Sequence, residues 1–388
     1  MDCLIGMKNI LDNSIDSIVT DPPYELGFMG KAWDSTGIAY SVEMWREAYR
    51  VLKPGGHLLA FGGTRTYHRM ACAIEDAGFE IRDCIQWIYG SGFPKSMDVA
   101  KSIEAKVLTG SANKDKFKEL DGDKGITQLG YTKTHADNDR PNDYNGQEYN
   151  KKVYLHTPEA KQWEGWGTAL KPANEPIVVA RKPLSEKTVA DNVLKWGTGG
   201  INIDGSRIPT TDKLDGGGSS VDYDGWGKSL CGKTDSAKSN LLGRFPANVI
   251  FDEEAGELLN EQSGERKSGG KVKGNEPSRT GENGIYGTYC RVENQPHNDT
   301  GGASRFFYCA KTSKSERGEG NTHPTVKPLK LISYLIKLVT PPNGTTLDPF
   351  IGSGTSAIAA KQNGFNYIGY ESDADNFSIA QKRISTHP

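Results

Sequence analysis

The chain has 388 residues, of which 35% are hydrophobic and 25% charged, and its net charge is −2. That length can bury a substantial core and suits more than one structural unit, while the near-neutral balance lacks the basic excess of a chain devoted wholly to nucleic acid. No apolar run reaches membrane-spanning length and the N-terminal residues do not read as a signal peptide, so a membrane location is not expected. The six cysteines, Cys3, Cys72, Cys84, Cys231, Cys290 and Cys309, are scattered without a Cys-x-x-Cys pair. That argues against a zinc site or a disulfide framework, and for the reducing cytoplasm.

In chain order, Ile15 to Thr20 reads as a buried strand running into Asp21-Pro22-Pro23-Tyr24. Tyr40 to Leu52 carries Val42, Trp45, Tyr49 and Leu52 on one helical face and ends at Lys53-Pro54-Gly55-Gly56. A strand over His57 to Phe61, a helix over Thr66 to Ala77 stopped by Gly78, and a strand over Phe79 to Tyr89 follow. Trp45 and Trp87 read as core residues, and His57 and His68 as ordinary strand and helix positions. From Lys106 to Gln162 the sequence turns polar and weakly patterned, which marks an insertion. Glu175 to Ala180 restores a strand expected to pair antiparallel with the one around Trp87, so the insertion hangs from the turn of that hairpin. Glu186 to Trp196 and Glu253 to Glu261 read as helices and Asn248 to Phe251 as a strand, joined by Gly/Ser-rich loops over 215–227 and 263–302. Trp196, Tyr223 and Trp226 in this stretch suit either base stacking or the core of a small domain. Arg266, Lys267, Lys271 and Lys273, and the run 311–317, are the local basic clusters that offer phosphate contacts.

At the C-terminal end, Thr345 to Asp348 reads as a strand, Pro349 to Gly354 as a glycine-rich loop, and Thr355 to Asn363 as a helix capped by Gly364. A second strand, Asn366 to Tyr370, ends in Glu371, and another helix starts near Asp373. This βαβ unit places a nucleotide site at the carboxyl ends of its strands, and with the first half it builds a doubly wound α/β sheet. Gly352-x-Gly354-x-x-Ala357 also fits the loose dinucleotide fingerprint. Asp348 argues against that reading, because a carboxylate there repels a pyrophosphate and attracts the ammonium of a methionine moiety. S-adenosylmethionine, with an ammonium, a carboxylate and a sulfonium but no phosphate, fits better.

The tetrapeptide carries the complementary chemistry. An isolated Asp-Pro after a strand is an ordinary turn. Asp21 with the Pro22 carbonyl, however, offers acceptors for both N–H groups of a planar amine, Pro23 holds the turn rigid, and Tyr24 presents a ring to an extruded base.

With both motifs in place, the chain resembles the β class of amino-type DNA methyltransferases, in which the catalytic motif precedes the cofactor motif. Asp21-Pro22-Pro23-Tyr24 matches the catalytic motif, and Asp348-Pro349-Phe350-x-Gly352-Ser353-Gly354-Thr355 matches the cofactor loop. Glu371 matches the acid that binds the ribose. His323-Pro324-Thr325-Val326-Lys327-Pro328 is similar to the segment whose Thr and Lys, here Thr325 and Lys327, help hold the methionine end. The family has a short strand ending in Gly-Asp-Cys whose Asp reaches the adenine of the cofactor; Met1-Asp2-Cys3 puts Asp2 in that place with its strand almost absent.

The resemblance implies a Rossmann-like class I methyltransferase sheet with an inserted target-recognition domain. Catalysis and cofactor binding fall to residues 1–106, 163–183 and 304–388, a polar insertion to 107–162, and target recognition to 184–303. It further implies S-adenosylmethionine as cofactor, double-stranded DNA as partner, no metal, and base flipping followed by direct attack of the amine on the sulfonium methyl. Dimers are frequent in the family, and a restriction partner is not legible in the sequence. Asp at the head of the tetrapeptide favours adenine N6 over cytosine N4, and the absence of a Pro-Cys pair disfavours cytosine C5. A DNA-binding protein that keeps the cofactor fold without turnover, and a dinucleotide-dependent oxidoreductase, are the competing classes.

Overall fold

The computed structural model describes residues 1–27, 32–92, 96–112, 127–133, 147–153, 157–210, 243–267, 300–310 and 326–386. Thr325, Tyr223, Trp226, Cys231, Cys290, Lys271, Lys273 and the basic run 311–317 lie outside them. The first strands are β1 (Ile15–Thr20), β2 (Leu52–Phe61), β3 (Glu80–Ile88), β4 (Thr127–Lys133), β5 (Gln147–Val153) and β6 (Asn174–Arg181). They are followed by β7 (Val249–Asp252), β8 (Arg266–Lys267), β9 (Thr300–Gly301), β10 (Tyr308–Ala310), β11 (Thr345–Asp348) and β12 (Asn366–Gly369). The chain divides into one unit of residues 1–91 with 173–388 and a second of 92–172.

The larger unit is built on an eight-stranded sheet in the order β10-β7-β3-β6-β2-β1-β11-β12. β6 is antiparallel to both β2 and β3, and the other pairings are parallel. Both faces are covered, and the strands show it residue by residue. Ile18, Leu58, Ala60, Val178 and Ala180 enter one apolar cluster, whereas their chain neighbours Val19, Leu59, Phe61, Ile177 and Val179 enter the other. Successive strand side chains point to opposite faces, so β1 is buried along its whole length, its polar Asp16, Ser17 and Thr20 included, each of them hydrogen-bonded.

The helices close those faces. Ser41 caps the Val42–Val51 helix by accepting from the Met44 N–H at 3.3 Å. The helix buries Met44, Trp45, Ala48 and Val51, a stripe rotated from the expected one, because Leu52 already belongs to β2. Trp45 is fully buried and donates Nε1–H to the Ala39 carbonyl. The expected stop at 53–56 is instead an irregularity inside β2, where the register against β1 jumps from Leu52 to His57 and Gly55 takes a φ of 80°. On the other face lies the Leu329–Val339 helix, with Leu331, Leu335 and Ile336 fully buried. At roughly 1.5–3 kcal/mol for each large apolar side chain removed from water, this helix is a principal anchor of the cluster.

The domain boundaries differ from those expected. The described residues of 184–303 do not stand apart: the Val189–Trp196 helix is tied to β2 and β7 lies inside the sheet between β3 and β10. Asn192, fully buried, donates to the carbonyls of Pro54 and Thr198, both at 2.8 Å, and accepts from the Ser185 N–H. The separate unit is 92–172, wider than the expected 107–162 on both sides. It includes the Val99–Thr109 helix capped by Asp98, a buried Glu104 that accepts from Thr157, and the antiparallel pair β4–β5. Trp163 and Trp166 meet there edge to face at 5.1 Å. No helix among the described residues is long and apolar enough to cross a membrane.

Candidate active site

Parallel strands deliver their carboxyl ends to one edge of a sheet, and β6, running the other way, delivers its start. Asp21 leaves β1, Asp348 ends β11, Glu371 follows β12, and Glu175 opens β6 at that common edge. At its centre is Lys327, whose side chain is 9% exposed. Its Nζ lies 2.6 Å from Asp21 Oδ2 and 3.3 Å from Glu175 Oε2, over the rings of Tyr24 (5.2 Å) and Phe61 (5.1 Å). Burial by itself would lower the Lys327 pKa, but Asp21 and Glu175 outweigh it and hold it at about 12. The ammonium therefore stays charged. Tyr24 donates its phenol to Glu175 Oε2 at 2.8 Å; burial, then Asp21 and Glu175, push its pKa well up, so it stays a neutral donor.

This pairing uses one oxygen of Asp21 and leaves the other. Asp21 Oδ1 is a buried atom with no hydrogen-bond partner among the described residues. A buried carboxylate oxygen without a donor costs free energy, so the position suits an N–H donor brought by a ligand. Beyond Tyr24 the chain is fastened tightly: Glu25 has a φ of 56°, and the buried Asp34 carboxylate accepts from the Glu25 and Leu26 N–H groups at 2.9 and 3.2 Å. Left-handed backbone at a non-glycine residue costs about 1–3 kcal/mol and persists only where surroundings impose it.

The glycine-rich loop is organised from beneath. Asp348 Oδ1 accepts from Thr20 Oγ1 at 2.6 Å and from the Phe350 N–H at 3.0 Å, and Oδ2 accepts from Ser356 Oγ at 2.5 Å. Burial raises its pKa from 3.8 to about 6, against these hydrogen bonds. Gly354, at a φ of 86°, precedes the Thr355–Gln362 helix, and a Cβ there would press on Ala380 and Ile384 at 3.2 Å. Gly352 is also left-handed. Arg383 donates Nη1–H groups to the Ser353 carbonyl, Ser353 Oγ and Thr355 Oγ1, which fastens the loop to the Ala374–Thr386 helix.

At the far strand, Glu371 Oε1 accepts from the Asp373 N–H at 2.8 Å, and the Glu371 carbonyl accepts from the Met1 amino group. Residues 3–7 form a short helix capped by Asp2, so Asp2 stands at a helix start beside β12 rather than at a strand end.

Asp21, Pro22, Tyr24, Lys327, Asp348, Phe350, Gly352, Gly354 and Glu371 thus share one edge of the sheet. Two expectations change. Lys327 is turned to Asp21 and Glu175 rather than toward the glycine loop, because a buried ammonium takes the nearest carboxylates. Asp348 spends its oxygens on Thr20, Ser356 and the loop backbone. Glu175, Asp34 and Arg383 were not read from the sequence. Glu175 had a usable signal, since it heads the strand expected to run antiparallel; Asp34 closes a local loop onto Glu25 and Leu26, and Arg383 acts across some thirty residues and left no signal.

The model of the family N6_N4_Mtase, DNA methylase, matches residues 15–382. The chain is 42% identical over 74 residues to the Type II methyltransferase M2.LlaDCHI of Lactococcus lactis subsp. cremoris, covering 19% of this chain and 27% of that protein. It is 22% identical over 346 residues to the Type II methyltransferase M.HindIII of Haemophilus influenzae, covering 88% and 68%. A solved structure of the M1.HpyAVI–SAM complex is similar at 16% identity and a TM-score of 0.40, covering 99% of this chain and 96% of that one.

Proposed function

The chain belongs to the N6/N4 DNA methylase family, and from that premise we propose that it methylates the exocyclic N6 amine of adenine in double-stranded DNA at a specific site. Its cofactor is S-adenosylmethionine, which supplies a methyl group on a sulfonium. The glycine loop, with Gly352 and Gly354 left-handed, leaves room for close backbone approach, and we assign Glu371 to the ribose and Asp2 to the adenine of the cofactor. Thr325, Phe350, Ser353 and Thr355 complete the proposed cofactor set.

The buried Oδ1 of Asp21, unpaired among the described residues, carries this reading. Beside Lys327, Asp21 accepts one N–H of the base amine at Oδ1, while the Pro22 carbonyl accepts the other. The amine nitrogen then aims its lone pair out of the ring plane. Pro23 keeps the two acceptors in register and the Tyr24 ring supports the extruded base. Transfer would form one N–C bond as the S–C bond of the sulfonium breaks to leave a neutral thioether, and the amine would then lose one proton, which Asp21 Oδ1 could accept. Positioning and fixed charge supply the acceleration.

The family model spans both N6 and N4 chemistry, and Asp21 at the head of the tetrapeptide favours adenine. We assign target reading to 184–303, and the relatives' names place the activity in restriction–modification. The test is incubation with labelled S-adenosylmethionine and unmethylated genomic DNA, followed by nucleoside analysis. Label in N6-methyldeoxyadenosine is expected; label in N4-methyldeoxycytidine transfers the reading to cytosine, and no label in DNA sinks it.

A further inference from the structure

The site holds one carboxylate more than the tetrapeptide chemistry requires. Glu175 reaches the catalytic edge because β6 alone in the sheet runs against its neighbours. Its Oε2 accepts the Tyr24 phenol at 2.8 Å and lies 3.3 Å from Lys327 Nζ. The Lys327 ammonium, enclosed by the Tyr24 and Phe61 rings, carries three donors and is therefore shared between two carboxylates. Were Glu175 absent, Asp21 would be the one carboxylate paired with that buried ammonium among the described residues, and Lys327 would be drawn across both of its oxygens. Oδ1 would then no longer be open to a base.

We propose that Glu175 is a positioning residue for methyl transfer: it fixes the Tyr24 ring through its phenol and holds Lys327 off Asp21 Oδ1, leaving that oxygen for the base amine. The role rests on the methylase reading above. Charge bookkeeping supports it. Asp21, Glu175 and Lys327 together carry one net negative charge, which favours the positive charge that grows on the amine nitrogen as its lone pair is given to the methyl carbon. Tyr89, whose phenol also feels Glu175 and Lys327, and Asp348, which feels Asp21, complete the titratable groups around the cluster.

Glu175→Gln keeps the shape and an acceptor for Tyr24 but removes the charge. In single-turnover transfer of labelled methyl from saturating S-adenosylmethionine to unmethylated genomic DNA, its rate should fall roughly 10- to 100-fold. Its cofactor Kd by calorimetry should stay within about three-fold of wild type, which also certifies the fold. Adding Glu175→Gln to Tyr24→Phe should cost less than it does in the wild-type background, since the two share one contact. A wild-type rate in Glu175→Gln overturns the inference, as does a parallel loss of cofactor affinity or full additivity with Tyr24→Phe. A wild-type protein that transfers no label sinks the methylase reading and this inference with it, so the two failures are told apart.

Discussion

Asp348 shows how a residue can match a motif and still do something the motif does not state. Its carboxylate is 7% exposed and engaged by Thr20, Ser356 and the Phe350 N–H, a role that ties β1, β11 and the start of the Thr355–Gln362 helix together. Burial raises its pKa from 3.8 to about 6. The folded state therefore holds a proton that the unfolded chain has released across that window. Stability from this group is largest below about pH 4 and declines as pH rises to about 6, by roughly 3 kcal/mol for a shift near two units. Asp348→Asn removes the titration. The stability difference, wild type minus variant, measured by denaturant unfolding, should fall between pH 4 and 6 and level off above; a flat difference would mean that Asp348 ionises normally. At this scale the sequence was legible where one residue type has one chemical use, as with Asp21 and Tyr24. Arg383 was not, because its partners Ser353 and Thr355 lie some thirty residues away and meet it only in the fold.

Among the elements, most strands and helices of the larger unit could be read from periodicity and caps, and their ends moved by a few residues. The Leu329–Val339 helix went unread although Lys330, Ser333 and Lys337 recur at helical spacing within its apolar residues. The Val189–Trp196 helix was read as a helix but given to a separate domain. Its Asn192 decides the matter, since this fully buried amide makes its hydrogen bonds to the Pro54 turn near the start of β2 and to the chain either side of the helix. Asn192→Ala should remove the amide donor of the Thr198 carbonyl and leave the Pro54 carbonyl to Thr198 Oγ1 alone, at a cost of about 1–3 kcal/mol in global stability. Thermal melts coincident with wild type would show that this helix is only loosely attached to the sheet.

For the whole molecule, the position of β7 matters most. It pairs with β3 on one side and β10 on the other, so replacing 184–303 by a short linker would strip the sheet of an internal strand and expose the β3 edge. That deletion is expected to lose cooperative unfolding and cofactor binding together. A deletion protein that binds S-adenosylmethionine with wild-type affinity would mean that the sheet can end at β3. The residues by themselves determined the fold class, the order of the two motifs and the chemistry that each offers, because a strand followed by rigid acceptors, or by glycines and a helix, has few physical uses. What they left undecided was direction and enclosure. An antiparallel β6 brings Glu175 to the catalytic edge, sheet order places Lys327 between two carboxylates 306 and 152 residues away along the chain, and burial sets the pKa of Asp348. Those properties belong to distances across the chain and to the exclusion of water, which exist only once the sheet has closed.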